Sequence, residues 1–408
     1  GSLITNGSIT NNGSISIQRS VTNAAWHLVS APTSNATANS FVSGDYLQSW
    51  SESTGSWTDI TVMSTALNPV QGYGLWNSSA SARTYTFTGT PNTGNQSISI
   101  TAAGTGGIYN GANLLGNPYP SSIDWDGLRT AYGAVYYWNG SAYVSWNNGG
   151  TGVRYIPPMQ GFFVITASNT SFSLTNFNRT HAGATAYYKS TEDETMNNGL
   201  VLYADNGSYQ DELYVSIENE TQEGFELQND AWKLPSNTAG LSQLWSVCTD
   251  GNLSIDRRPA TDVIQLGFTN DVNGTYAIGL KEINGISKAL IEDTKTGLRH
   301  DLMTGNYSFA WEANEDANRF KLLFNAVGID EQASAGFSAY AIGKTIYISN
   351  PASEKLQIKL IDLMGRTVLN QQTGANSLIS IPTALNSGVY IIQITDGKQS
   401  SSTKVIIR

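Results

Sequence analysis

Pro69-Val70-Gln71-Gly72-Tyr73-Gly74 returns as Pro158-Met159-Gln160-Gly161-Phe162-Phe163, an offset of 160 − 71 = 89 residues. Each copy places Pro and Gly, the turn formers, beside a short aromatic run, the pattern of a loop feeding a β-strand. Other landmarks recur in the same order. Leu28-Val29-Ser30-Ala31-Pro32 matches Leu114-Leu115-Gly116-Asn117-Pro118 (118 − 32 = 86), Trp50 matches Trp138 (138 − 50 = 88), and Tyr85-Thr86-Phe87 matches Phe172-Ser173-Leu174 (172 − 85 = 87). Offsets this constant imply a small β-subdomain used twice, over about 21–105 and 106–188. Tyr85 and Phe87 alternate with Thr, as Phe172 and Leu174 alternate with Ser, which puts the apolar pair on one strand face. Asn139-Gly140 and Asn148-Gly149 read as tight turns. One short helix is expected, Trp125–Tyr132, with Asp124 as its N-cap.

Before this pair, residues 1–20 read as three hexads, Leu3–Ser8, Ile9–Ser14 and Ile15–Ser20, each opening on an aliphatic residue and closing on Ser. A six-residue period is that of a β-solenoid rung, so 1–20 is expected to be the tail of a repetitive segment, with a strand and a low-complexity lead-in as the alternative. The start at Gly1-Ser2, in the middle of that pattern, suggests a fragment of a longer precursor. After the pair, a composition shift near 189 marks a boundary. The strands Leu213/Val215/Ile217, Ile264/Leu266/Phe268, Tyr276/Ile278/Leu280, Tyr307/Phe309/Trp311 and Phe320/Leu322/Phe324 then predict an antiparallel β-sandwich over 189–328. A small-residue linker, Val327–Ala341, leads to a last unit at 329–408, where Leu356, Ile358 and Leu360 alternate with charged and polar residues. Its size and strand density suit an immunoglobulin-like sandwich. The fold class is all-β and multidomain: the duplicated subdomain, the sandwich, then the immunoglobulin-like unit.

The composition restricts function. Only 13% of the 408 residues are charged, and the formal net charge is −10. Without a basic stripe, nucleic acid is excluded as a partner. No apolar run reaches the length of a transmembrane segment. The one cysteine, Cys248, rules out an intrachain disulfide and is expected to be a small buried apolar residue.

The last unit resembles the type A C-terminal sorting domain of the type IX (Por) secretion system. The resemblance rests on Ile346-Tyr347-Ile348-Ser349-Asn350-Pro351, Leu360-Ile361-Asp362-Leu363-Met364-Gly365-Arg366, Leu385-Asn386-Ser387-Gly388-Val389-Tyr390-Ile391-Ile392 and Lys404–Arg408. Within it Asn350, Pro351, Asp362, Gly365, Arg366, Gly388 and Tyr390 carry the motif. The resemblance implies passage through the outer membrane, an extracellular or cell-surface location, and the export and surface-attachment machinery as partners. It supplies an address rather than an activity. Upstream, Gly116–Trp125, Ile156–Phe163 and Asn178–His181 resemble non-catalytic, adhesin-like stalk regions of proteins exported this way, and Asn198–Asn325 resembles the sandwich that often precedes the sorting domain.

Candidate chemistry is sparse. His27, His181 and His300 lie in no metal-ligand spacing, and no nucleophile elbow accompanies them. No cofactor is expected. Calcium is a candidate only at Asp205–Glu212 and Asn314–Asn318, neither of which follows the twelve-residue calcium loop, so both read as solvated turns. Before Asp193 the carboxylates are nearly limited to Asp45, Glu52, Asp59, Asp124 and Asp126, a thin supply for a glycosidase pair. Trp50, Trp57, Trp138 and Trp146 are the candidate glycan-binding residues, because flat indoles beside amide side chains suit a sugar face; the competing reading makes them core. The leading expectation is a non-catalytic surface protein, in an adhesive or stalk role, meeting a host or bacterial surface glycan or protein. A carbohydrate-binding module and an accessory region of an extracellular hydrolase are the alternatives.

Overall fold

Short apolar runs broken by Gly, Asn and Pro make strands throughout the chain. A computed structural model describes residues 2–5, 15–41, 44–105, 107–183, 196, 198–207, 210–324, 338–342, 344–349, 355–373, 378–397 and 400–407. The first unit contains β1 (Ile15–Val21), β2 (Trp26–Val29), β3 (Tyr46–Ser51), β4 (Ser56–Asp59), β5 (Tyr73–Trp76) and β6 (Arg83–Gly89). The second contains β7 (Gln96–Ile100), β8 (Ala112–Gly116), β9 (Ser122–Asp124), α1 (Asp126–Tyr132), β10 (Val135–Trp138), β11 (Tyr143–Trp146), β12 (Tyr155–Ile156), β13 (Gly161–Ile165), β14 (Thr170–Leu174) and β15 (Arg179–Thr180). Their main sheets have the orders β2-β5-β3-β4 and β8-β13-β10-β11, and each unit adds a two-stranded ribbon, β1-β6 and β7-β14. The second unit alone adds the sheet β12-β9-β15.

The structure departs from the sequence expectation at the first strand and at the start of the helix. The hexad Ile15–Ser20 is no solenoid rung: it lies in β1, antiparallel to β6, with Ile17 opposite Phe87. A period of six contains the strand period of two, so the pattern alone could not separate the two structures. The other hexads fall largely outside the described residues. Strand β1 thus pairs with β6 of the first unit, and β7 with β14 of the second. The helix starts at Asp126, and its N-cap position is Trp125, whose side chain makes no cap bond. Asp124, one residue earlier, accepts the first helical N–H, that of Asp126, and pairs with Arg154 at 2.8 Å.

The units cross through the segments that recur in the sequence. Isolated bridges join Val29 to Gln160 and Gln71 to Leu115. Ser30 donates its N–H to Met159 O at 3.1 Å, and Gly116 donates its N–H to Val70 O at 2.7 Å. These contacts are reciprocal, since 29 and 115, 30 and 116, and 71 and 160 are matched positions. Backbones meet closely there. A Cβ on Gly72 would stand 2.3 Å from Leu115 O, and one on Gly161 would stand 2.9 Å from Leu28 and Val29 backbone atoms. Arg19 of β1, 3% exposed, ties the crossing by donating to Leu28 O (3.0 Å), Met159 O (2.6 Å) and Gln160 Oε1 (2.9 Å).

From residue 198 an eleven-stranded sheet runs from an edge at Leu298–Asp301 to one at Tyr307–Trp311. It encloses a core of Leu202, Leu213, Leu244, Ile264, Phe268, Phe309 and Phe320 among others. The expected strand faces all point into it, but one pairing differs from the antiparallel expectation. Gln210–Ile217 runs parallel to Asn252–Arg258, with Tyr214 opposite Ile255. Side-chain alternation is the same in either direction, so the pattern carries no information on strand sense. Arg319 and Asp293, 2% and 0% exposed, form an ion pair at 2.6 Å inside this body. Arg319 also lies over the Phe309 and Phe320 rings, while Tyr307 donates to Asp293 at 2.8 Å.

The last unit pairs a three-stranded sheet (Ser338–Ile342, Thr345–Ser349, Leu378–Pro382) with a four-stranded one (Thr367–Gln372, Gln357–Asp362, Gly388–Thr395, Ser400–Ile407). Ile346, Ile348, Ile358, Leu360, Ile392 and Ile394 fill the space between them. Of the expected linker Val327–Ala341, Ser338–Ala341 already belong to a strand; the rest lies outside the described residues.

Two variants test these constraints. Gly72→Ala should cost about 1–3 kcal/mol of stability, because the obstructing atom is backbone that cannot rotate away. Arg319→Ala should cost about 3–5 kcal/mol by leaving Asp293 buried without its cation. Both are measured by denaturant unfolding of the whole chain.

Candidate functional site

Cross-strand pairing sets the aromatic site. Trp50 stands opposite Trp57 across β3 and β4, and Trp138 opposite Tyr143 across β10 and β11. The two hairpins converge on Phe163 of β13. Trp50 and Phe163 meet edge-to-face at 5.5 Å and 88°, and Tyr143 and Phe163 at 5.7 Å and 86°. Tyr109 adds an edge-to-face contact with Trp50 at 5.6 Å. Phe163 has Gly74 as its matched position, and a Cβ there would lie 2.9 Å from the Trp57 ring. One unit supplies the central ring and the other leaves room for it.

This geometry does not match the strip of parallel, open indoles that a sugar-binding face requires. Trp50 and Trp57 cross at 64°, and Trp50 donates its indole N–H to Ala112 O at 2.7 Å. Trp50, Trp57 and Trp138 are half-buried against the cluster that also contains Tyr136, Ala231, Leu234 and Ile255. Trp146 is 3% exposed and belongs to the separate core of the second unit. The structure therefore brings three of the four candidate tryptophans together and leaves the fourth elsewhere. Phe163 and Tyr109, the rings between them, were missed. Only the Gly74/Phe163 mismatch within the Gln-Gly repeat hinted at Phe163.

The same cluster continues into the sandwich. Ser145 and Ser254 hydroxyls meet at 2.9 Å, Asn147 donates to Asp230 O at 2.8 Å, and Ser236 donates to Ser141 O at 2.7 Å. Arg257, 6% exposed, donates to the carbonyls of Asn147 and Asn148 and pairs with Glu218 at 2.5 Å. Asn148 and Gly149 have φ of 57° and 125°, and the turn they make brings Gly149 against the Arg257 guanidinium. In the first unit the matched hairpin is solvated: Gln48 donates to exposed Asp59 at 2.8 Å, where Tyr136 and Ser145 of the second unit are 2% and 1% exposed.

The remaining candidates have structural partners. Asp45 accepts from Arg83, Tyr85 and Ser78, which hold its carboxyl below the usual range against the opposing effect of burial. Glu52 accepts from Thr101 Oγ1 (2.7 Å) and the Gly111 N–H (2.8 Å), binding the first unit to the second. Asp126 pairs with Arg129 at 2.8 Å. His181 Nδ1 lies 3.0 Å from Ser2 Oγ, and His300 Nε2 lies 2.8 Å from Gly305 O. Cys248 is half-buried on a turn, its N–H donated to Gly251 O, and so is not the core residue expected. Among the described residues no group of three or more His, Cys, Asp or Glu is placed to hold a metal. At the calcium candidates, Asp205 accepts from the Gly207 N–H, and Glu315 pairs with Lys295 and Arg319.

The sorting motif forms a closed turn. Asp362 accepts the N–H groups of Met364 and Arg366, both at 2.9 Å, and pairs with the Arg366 guanidinium at 2.8 Å. Those bonds, the Arg366 N–H first, hold its carboxyl below the usual range. Gly365 has φ 81°, which suits glycine. Tyr390 donates to Asn386 O at 2.9 Å, and Gly388 lies against its ring. Asn350 and Pro351 lie outside the described residues. Among those described, no helix is long and apolar enough to cross a membrane.

The described fold is all-β, and residues 343–408 match the secretion system C-terminal sorting domain, which addresses the protein to the cell surface or beyond. Residues 1–141 and 129–324 match a family described as a domain of unknown function, DUF8693, and the chain belongs to that family. The second match runs across the boundary expected near 189. The chain is also similar to the minor fimbrium subunit Mfa5 of Porphyromonas gingivalis, 24% identical over 397 residues that cover 84% of this chain. It spans 31% of the length of that relative.

His27 supplies a pH test. It is 8% exposed, with Nε2 3.0 Å from Thr22 Oγ1 and 3.2 Å from Thr22 O. Burial, and then the Arg19 charge, lower its pKa to about 4. Its unfolded value is higher, so the stability linked to neutral His27 is present above about pH 6.5 and is lost as pH falls toward 4. The full loss is about 3 kcal/mol. Asp230, whose carboxyl burial pushes up to about 7, titrates over the same range with the opposite sign, so the test is a difference. The stability of the wild type relative to His27→Gln, from unfolding curves between pH 7 and 4, should fall as the pH falls.

Proposed function

We propose that this chain is a non-catalytic adhesion or stalk module that a type IX sorting domain carries to the cell surface. The observation that carries the reading is the similarity to a fimbrium subunit over most of the chain, joined to the C-terminal sorting match. The geometry supports it. The candidate carboxylates Asp45, Glu52, Asp124 and Asp126 are engaged in bonds that hold the fold, which suits a rigid spacer better than a reaction centre.

The matched strand orders and reciprocal crossing contacts support a duplication as the origin of the first two units. We read the two-sheet sorting domain as immunoglobulin-like. Its partners are the export machinery and, for the exposed body, a protein or glycan of a host or bacterial surface. The edge-to-face rings favour the adhesive reading over a carbohydrate module built on Trp50, Trp57, Trp138 and Trp146.

Deleting residues 343–408 from the precursor in its own host should abolish delivery to the surface while the protein accumulates inside. Unchanged surface display would refute the address. The purified chain, presented to arrays of host proteins and glycans, should bind without altering its target. Turnover of any array substrate, abolished by removing one of its carboxylates, would overturn the non-catalytic role.

A further inference from the structure

The edges of the sandwich need closure. In the edge strand Tyr307–Trp311, Ala310 stands opposite Thr275, and its N–H and C=O turn away from the sheet. Arg319 donates to Ala310 O at 2.7 Å, and the Glu312 N–H donates to Glu315 Oε1 at 3.1 Å. Both caps come from the sandwich. The cap on the Ala310 N–H comes from another unit: it donates to Tyr340 Oη at 3.0 Å. Tyr340 lies in the first sorting-domain strand, is 3% exposed, and stacks on Tyr347 at 5.3 Å and 18°. That strand also contacts Leu298–Asp301, the opposite edge of the same curled sheet.

We propose that the sorting domain plugs the seam between the two open edges of the sandwich, with Tyr340 as the latch that closes the Tyr307–Trp311 edge. An uncovered edge offers backbone donors and acceptors to any passing strand. Ala310 O and the Glu312 N–H are closed by side chains of the sandwich itself. The Ala310 N–H is closed by the sorting domain while it stays docked. The domain thus protects the protein that it addresses, and undocking it opens one defined edge position.

Amide hydrogen exchange on the intact chain tests this. Tyr340→Phe keeps the ring and its stack but removes the acceptor. It should speed Ala310 exchange by about tenfold, the value of one buried hydrogen bond. The Phe309 amide, which faces the neighbouring strand, should be unchanged. Tyr347→Phe, which removes a hydroxyl from the other ring of the stack, should leave Ala310 protected. The proposal falls if Ala310 exchanges equally fast in the wild type and Tyr340→Phe, if Phe309 accelerates in step with it, or if Tyr347→Phe has the same effect.

Discussion

Close approach of backbone to backbone at the crossing of the first two units governs the upstream body. Gly72 and Gly161 lie where a methyl group would enter the opposite chain, and Ser30 and Gly116, matched positions, touch each other. At this separation the bridges Val29–Gln160 and Gln71–Leu115 can form, so each unit completes the hydrogen bonding of the other. Arg19 adds bonds to Leu28 O, Met159 O and Gln160 Oε1 and is buried in doing so. Neither unit has a finished surface by itself.

The aromatic site builds on this junction. Crossed in this way, the units bring the β3–β4 and β10–β11 hairpins to the two sides of Phe163, and the aromatic wedge follows. The wedge leads into the second unit's docking face, where Tyr136 and Ser145 press on the sandwich and Arg257 grips the Asn147–Gly149 turn. The first unit has the same hairpin but places Gln48 and Asp59 at the matched positions, and it remains solvated. The same strand order thus carries different outward residues in the two units. The match of one family across the expected boundary near 189 accords with this shared core.

Several features were legible in the residues because they are local. Period-two alternation located the strand faces of the sandwich, turn residues located the hairpins, and the Gln-Gly recurrence located both halves of the crossing. The motif Asp362–Arg366 could be read as a tight bend because Asp, Gly and Arg satisfy one another within five residues. Errors arose where a local pattern fits two structures. Ile15–Ser20 carries six-residue and two-residue periods at once, and a parallel strand looks like an antiparallel one.

Alternation, turn chemistry and short motifs act between near neighbours, so the all-β class and the sorting address are legible in the residues alone. What the tryptophans touch and which edges are closed follow from the folded chain. The angle between Trp50 and Trp57, the insertion of Phe163 and the reach of Tyr340 to Ala310 depend on contacts between residues distant in the chain. Composition records that aromatic rings are present. Whether a ring face meets solvent or another ring is fixed by packing.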